Sequence, residues 1–155
     1  MAIWKQHFDL ALLNSWSEPC MMGHLGIVFT EIGEDFLVAQ MPVDRRTRQP
    51  YGIMHGGASC VLAETVGSTA GMLCLNAETH FCLGLAIETH HIKVAQDGFV
   101  TGTARPLQLG QTIHIWDITI TNEKQQVVSA NRLTLAVRDR RNDRFKDGIP
   151  TFETK

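Results

Sequence analysis

Residues 5–16 place Phe8, Leu12 and Leu13 near one helical face, with Leu10 and Ala11 widening it. This predicts a short amphipathic helix, ended by Ser17-Glu18-Pro19. Residues 24–32 are apolar and β-branched, Gly33-Glu34-Asp35 supplies a turn, and 36–43 alternate. The two runs predict a β-hairpin. Residues 44–54 are polar and turn-forming, a loop long enough to shape a site. Residues 55–75 predict a long helix that is apolar on most sides and crowded with small side chains. Each interior glycine costs about 1 kcal/mol against alanine, so such a helix is expected to be buried and closely approached by other backbone. Four strands follow, at 82–94, 99–107, 111–121 and 127–137, with turns at Gln96-Asp97-Gly98, Leu109-Gly110 and Asn122-Glu123-Lys124. The order predicts an α+β fold, an antiparallel sheet wrapped around one long central helix. Residues 1–138 form the expected single domain, and 139–155 a charged, mobile tail.

The length of 155 residues suits one domain and leaves little room for a second. Lys+Arg 14 against Asp+Glu 16 leaves a net charge of -2, without the basic footprint of a nucleic-acid binder. No apolar run reaches the ~18 residues of a membrane helix, and the first residues do not resemble an export signal. Cys20, Cys60, Cys74 and Cys82 form no C-x-x-C and read as reduced, mostly buried thiols of a cytoplasmic protein.

Phosphate-loop, dinucleotide, zinc-protease and nucleophile-elbow motifs are absent from the sequence. His90 and His91 are neighbours on a strand, point to opposite faces and do not chelate one metal together. The long helix carries the candidate chemistry. Glu64 is the only carboxylate between Asp44 and Glu78. A carboxylate among apolar neighbours is costly to keep charged, which prepares it as a base or nucleophile; the alternative is a solvent-facing stripe. Gly56, Cys60, Glu64 and Ser68 are spaced by four and share a face, so Ser68 is placed to hydrogen-bond Glu64 or a water beside it. The helix begins Met54-His55-Gly56-Gly57, where unpaired N–H groups and positive partial charge meet a residue with no side chain. That is an oxyanion hole in outline, to which Gln49 adds an amide donor. The competing reading has His55 merely capping the helix and the glycines serving packing.

Gly56 and Glu64 are eight residues apart, about 12 Å along a helix. Both cannot reach one reacting group within a chain. If they share a site, Glu64 of one copy faces the Gly56 turn of another, giving two equivalent sites in a two-fold dimer. Glycine on the helix is expected to permit the close crossing.

These residues, 49–59 (QPYGIMHGGAS) followed by 62–68 (LAETVGS), resemble the hotdog-fold acyl-CoA thioesterases. Within that family the sequence resembles the Arthrobacter-type 4-hydroxybenzoyl-CoA thioesterase branch, with the bacterial 1,4-dihydroxy-2-naphthoyl-CoA hydrolases and the proofreading thioesterases of enterobactin synthesis. The likeness runs over residues 3–138. It implies Glu64 as catalytic carboxylate, the Gly56 N–H polarising the thioester carbonyl, Gln49 and His55 orienting that carbonyl, and Ser68 assisting water. It also implies His91 in ligand contact, Lys93 at a CoA phosphate and His90 in substrate binding. The resemblance implies an acyl-CoA substrate, with an acyl carrier protein thioester as the alternative, and an aromatic or medium-chain acyl group. No metal and no cofactor are implied; a homodimer is the functional unit, assembled as a homotetramer. Glu88-Thr89-His90-His91 departs from the more usual Asn-x-Asn-His and is expected to put a charge near the acyl pocket. The rival activities are a hydratase or dehydratase on the same fold, and a non-catalytic acyl-binding module. Arg45, Arg46 and Arg48 read as a solvated surface or as contacts to a ligand phosphate.

Overall fold

A computed structural model describes residues 1–18 and 20–142. The elements run α1 (Leu10–Ser17), α2 (Met21–Leu25), β1 (Val28–Ile32), β2 (Leu37–Pro42), α3 (Gly56–Leu73), β3 (His80–His91), β4 (Phe99–Leu109), β5 (Ile113–Asn122), β6 (Val127–Asp139) and a 3-10 turn, Arg140–Asn142. Strands pair antiparallel in the order β1-β2-β4-β5-β6-β3. The sheet curls round α3, the α+β hotdog arrangement. Alternation in β5 and β6 turns Trp116, Ile118, Ile120, Leu133 and Leu135 inward, fully buried, against Leu62, Ala63, Val66 and Ala70 of the helix.

The glycines of α3 answer a packing need, but a different one from that expected. A Cβ on Gly67 would come 2.6 Å from Leu133 Cδ2, and one on Gly71 would overlap Leu135 Cδ1. Within the chain, side chains of the sheet and not backbone lie nearest to the space these two residues leave.

The first helix is shorter than its sequence periodicity predicts. Asp9 caps it, accepting from Leu12 N–H at 2.8 Å, so it begins at Leu10. The residues before it form an extended strap. Lys5 N–H donates to Leu73 O, and Gln6 Nε2 to Met72 O and Leu75 O, satisfying carbonyls at the end of α3. Trp4 Nε1 ties the strap to Gly33 O in the hairpin turn. The first strand is also shorter than 24–32: α2 takes up His24 and ends at Gly26, whose φ of 72° suits a helix terminus. At the other end β6 passes residue 138 to Asp139, and Arg140 donates to Ala77 O and Thr79 O. The rest of the expected tail, 143–155, lies outside the described residues.

β3 is an edge strand, and among the described residues its outer edge is unpaired. Leu83 and Leu85 are exposed there, as are Ile92 and Val94 just beyond. No helix among the described residues is long and apolar enough to cross a membrane.

Candidate active site

The loop that delivers the chain to α3 is held by its own polar groups. Thr47, almost fully buried, donates its hydroxyl to Pro42 O at 2.7 Å and accepts from Asp44 N–H. Arg46 is bound to the Asp44 carboxylate, which holds that carboxyl down at about 2, and Arg48 reaches across to Gln96 O. Two of the three arginines offered for a phosphate are therefore engaged in holding the loop; Arg45 is exposed. His55 N–H donates to Thr47 O, Met54 N–H to Ala95 O, and Gln49 N–H to Ile53 O. These bonds fix the position from which the helix starts.

The first turn of α3 then leaves one donor over. His55 caps it: Nδ1 accepts from Gly57 N–H at 2.8 Å, and the His55 carbonyl accepts from Ala58 and Ser59. Gly56 N–H has no partner among the described residues. With Nδ1 an acceptor, the neutral ring carries its proton on Nε2, free for a ligand. The capping reading of His55 and the oxyanion reading of the turn hold together, because the cap takes the Gly57 donor and spares that of Gly56.

Gly56 opens into a cavity of about 300 Å³. Gln49, His91 and Lys93 line it with Ile53, Met54 and Val128. His91 lies over the glycine: a Cβ on Gly56 would sit 2.9 Å from its Nε2. The structure thus gathers Gly56, Gln49, His91 and Lys93, with His55 alongside on the same turn.

Glu64 and Ser68 sit apart from this group. They lie two and three turns further along α3, half-buried, with the Ser68 hydroxyl donating to Glu64 Oε1 at 3.1 Å. The helix is unbroken from Gly56 to Leu73, so the about 12 Å spacing holds. Glu64 does not line the Gly56 cavity.

His90 is not brought to either group. It points to the outer face of the sheet, 3.1 Å from Glu88, where both are exposed. Glu88 stands opposite Arg132, which pairs with Asp117 at 2.8 Å. The charge expected near the acyl pocket is on the opposite face of the sheet from α3. Three further residues border the helix face without having been singled out: Cys82, Gly84 and Thr89. Cys82 Sγ lies 3.9 Å from Ser68 O, and Thr89 Oγ1 lies 3.4 Å from Cys60 Sγ. A Cβ on Gly84 would overlap Glu64 Oε1. A lone glycine inside a strand pattern was the available sign of such close approach. The four thiols are free, but only Cys74 is buried outright, Cys60 and Cys82 are half-buried and Cys20 is exposed. No group of three or more His, Cys, Asp or Glu among the described residues is arranged to hold a metal ion.

Comparison with known proteins identifies the family. The family model described as Thioesterase superfamily matches residues 51–129. The chain is 47% identical over 135 residues to the 1,4-dihydroxy-2-naphthoyl-CoA hydrolase of Escherichia coli (strain K12), covering 87% of this chain and 98% of the relative. It is 44% identical to the proofreading thioesterase EntH of Cronobacter sakazakii, again covering 87% and 98%. The crystal structure of thioesterase HI1161 from Haemophilus influenzae superposes with a TM-score of 0.86 at 44% identity, over 88% of this chain and 95% of that one. By the family model and these relatives, the chain belongs to the hotdog-fold thioesterase superfamily and is a thioester hydrolase.

Proposed function

We propose that the protein hydrolyses an aromatic or medium-chain acyl-CoA thioester to the free acid and CoA, at sites shared between two copies. The carbonyl oxygen accepts from Gly56 N–H of one copy, with Gln49 and His55 orienting it. Glu64 of the other copy either attacks the carbonyl carbon, breaking the C–S bond and expelling the CoA thiolate to leave a mixed anhydride that water then hydrolyses, or removes a proton from a water that attacks the carbon and expels the thiolate; Ser68 steadies the carboxylate. His91 covers the bound group, and Lys93, exposed at the cavity mouth, faces the phosphates of CoA. The observation that carries this reading is the N–H of Gly56, left without a partner among the described residues, about 12 Å along the helix from its only carboxylate. The apolar, unpaired edge of β3 supports pairing of two copies beside both groups. The E. coli relative is named for an aromatic acyl-CoA, which favours that substrate class.

Subunit complementation tests the shared site. Glu64→Ala removes the carboxylate and should lower turnover about 10³-fold. Gly56→Pro removes the N–H at the first helical position, where the backbone accepts proline, at the cost of pushing aside the His91 ring that a Cβ there would meet. Each variant alone should be inactive when thiol release from a panel of acyl-CoAs is followed. Mixed dimers contain one site with both lesions and one with neither, so refolding the two variants together should restore thiol release. No recovery in verified mixed dimers would place the site within one chain.

A further inference from the structure

α3 and β3 face each other along most of their length, and the facing changes phase once. At one end Cys82 meets Ser68 O and Gly84 meets Glu64; at the other Thr89 meets Cys60 and His91 meets Gly56. Regular alternation cannot put residues 82 and 84 on the same face as 89 and 91. The switch is a β-bulge: Gly84 pairs with Leu135 and Ala86 with Thr134, leaving Leu85 without a partner. The extra residue turns Gly84 toward Glu64 while keeping His91 over Gly56.

Gly84 has no conformational need to be glycine. Among the described residues the left-handed glycines are Gly26, Gly52 and Gly98. The nearest atoms a side chain there would meet belong to the Glu64 carboxyl group: it would overlap Oε1 and lie 3.4 Å from the carboxyl carbon. The obstacle is the end of a flexible side chain, not the fold.

We propose that Gly84 is a positioning residue, whose missing side chain lets the Glu64 carboxylate rest against the bulge of β3 at the free edge of the sheet. This rests on Glu64 being the catalytic carboxylate. Ser68 fixes the carboxylate from the helix side, and the flat surface of Gly84 fixes it from the strand side. The pair of supports sets the direction in which Glu64 points out of its own chain.

The test is a double-mutant cycle on the full protein. Gly84→Ala should displace the carboxylate and lower kcat by about 10- to 100-fold, with KM within about threefold. Glu64→Asp withdraws the carboxylate by one methylene and makes room for the new methyl group. The double variant should therefore lose less than the product of the two single losses, by about tenfold. Wild-type kcat in Gly84→Ala, or losses that multiply, would overturn the proposal. A second cycle reads the contact without activity. Gly84→Ala should lower Tm in the wild-type background and leave it unchanged in Glu64→Ala. Equal drops in both backgrounds would also overturn it. Retention of turnover by Glu64→Ala would instead overturn the catalytic reading, with the Tm cycle still reporting whether the two residues touch.

Discussion

The Ser68 hydroxyl donates to Glu64 Oε1 at 3.1 Å across one turn of α3. Because both residues ride on the same helix, the bond holds without help from a loop. A hydrogen bond to a charged group contributes about 1.5–3 kcal/mol. If most of that is expressed in the transition state, Ser68→Ala should lower kcat about tenfold or more while KM changes little. Ser68 is only half-buried, so Tm should hold. Steady-state kinetics beside a thermal melt check this; an unchanged kcat would remove Ser68 from the machinery.

The proposed two-fold arrangement has a consequence for Cys60. If Glu64 of each copy opposes Gly56 of the other on antiparallel helices, the residue midway between them opposes itself. That residue is Cys60, half-buried on the same helix face. In a Cys20→Ser background, a bifunctional maleimide of about 10 Å reach should join two copies through Cys60 and produce a covalent dimer on a denaturing gel. Cys60→Ser should abolish the band. Failure to cross-link in a protein shown to be dimeric would reject this helix pairing.

How much of this was readable beforehand follows from how local each feature is. The face holding Gly56, Cys60, Glu64 and Ser68 follows from a spacing of four on one uninterrupted helix, and it survives intact in the fold. The strap at the chain's start was not readable, since Lys5 and Gln6 are extended by bonds to carbonyls of α3 far along the sequence. Nor was α2, a single turn too short to show periodicity. The bulge had the largest consequence. Alternation read without it gives no account of how Gly84 and His91 come to face one helix, while Glu88 and His90 turn outward to Arg132 and solvent. Gly84 itself was a local sign, but its meaning depended on Glu64, twenty residues away in the sequence.

Burial separates the thiols by reactivity. It pushes the Cys74 thiol up to about 12, and the Cys82 thiol likewise, with the nearby Glu64 charge adding to the second. The thiolate is the nucleophile, so both should resist alkylation near pH 8. Iodoacetamide should label exposed Cys20 readily in the native protein and leave Cys74 and Cys82 as thiols, as read by peptide mass spectrometry. Denaturation should make all four available. Fast native labelling of Cys82 would mean that the strand opens beside Glu64.

His114 gives the fold a dependence on acidity. It lies on the inner face of β5, 3% exposed, and its Nδ1 has no hydrogen-bond partner. Burial lowers its pKa below the ordinary 6.5, against a smaller opposing effect of a backbone hydrogen bond with Gly110. The folded protein therefore keeps the ring neutral where the unfolded chain takes up a proton. Wherever the unfolded state binds more protons, stability rises with pH. The contribution of His114 is thus complete above about pH 6.5 and is lost as pH falls from there toward the folded-state pKa. Tm measured from about pH 8 down to about pH 5 should fall, and His114→Leu should flatten that fall once the other histidines are accounted for by difference. An unchanged slope in the variant would show that the ring is protonated, and accommodated, inside the folded sheet.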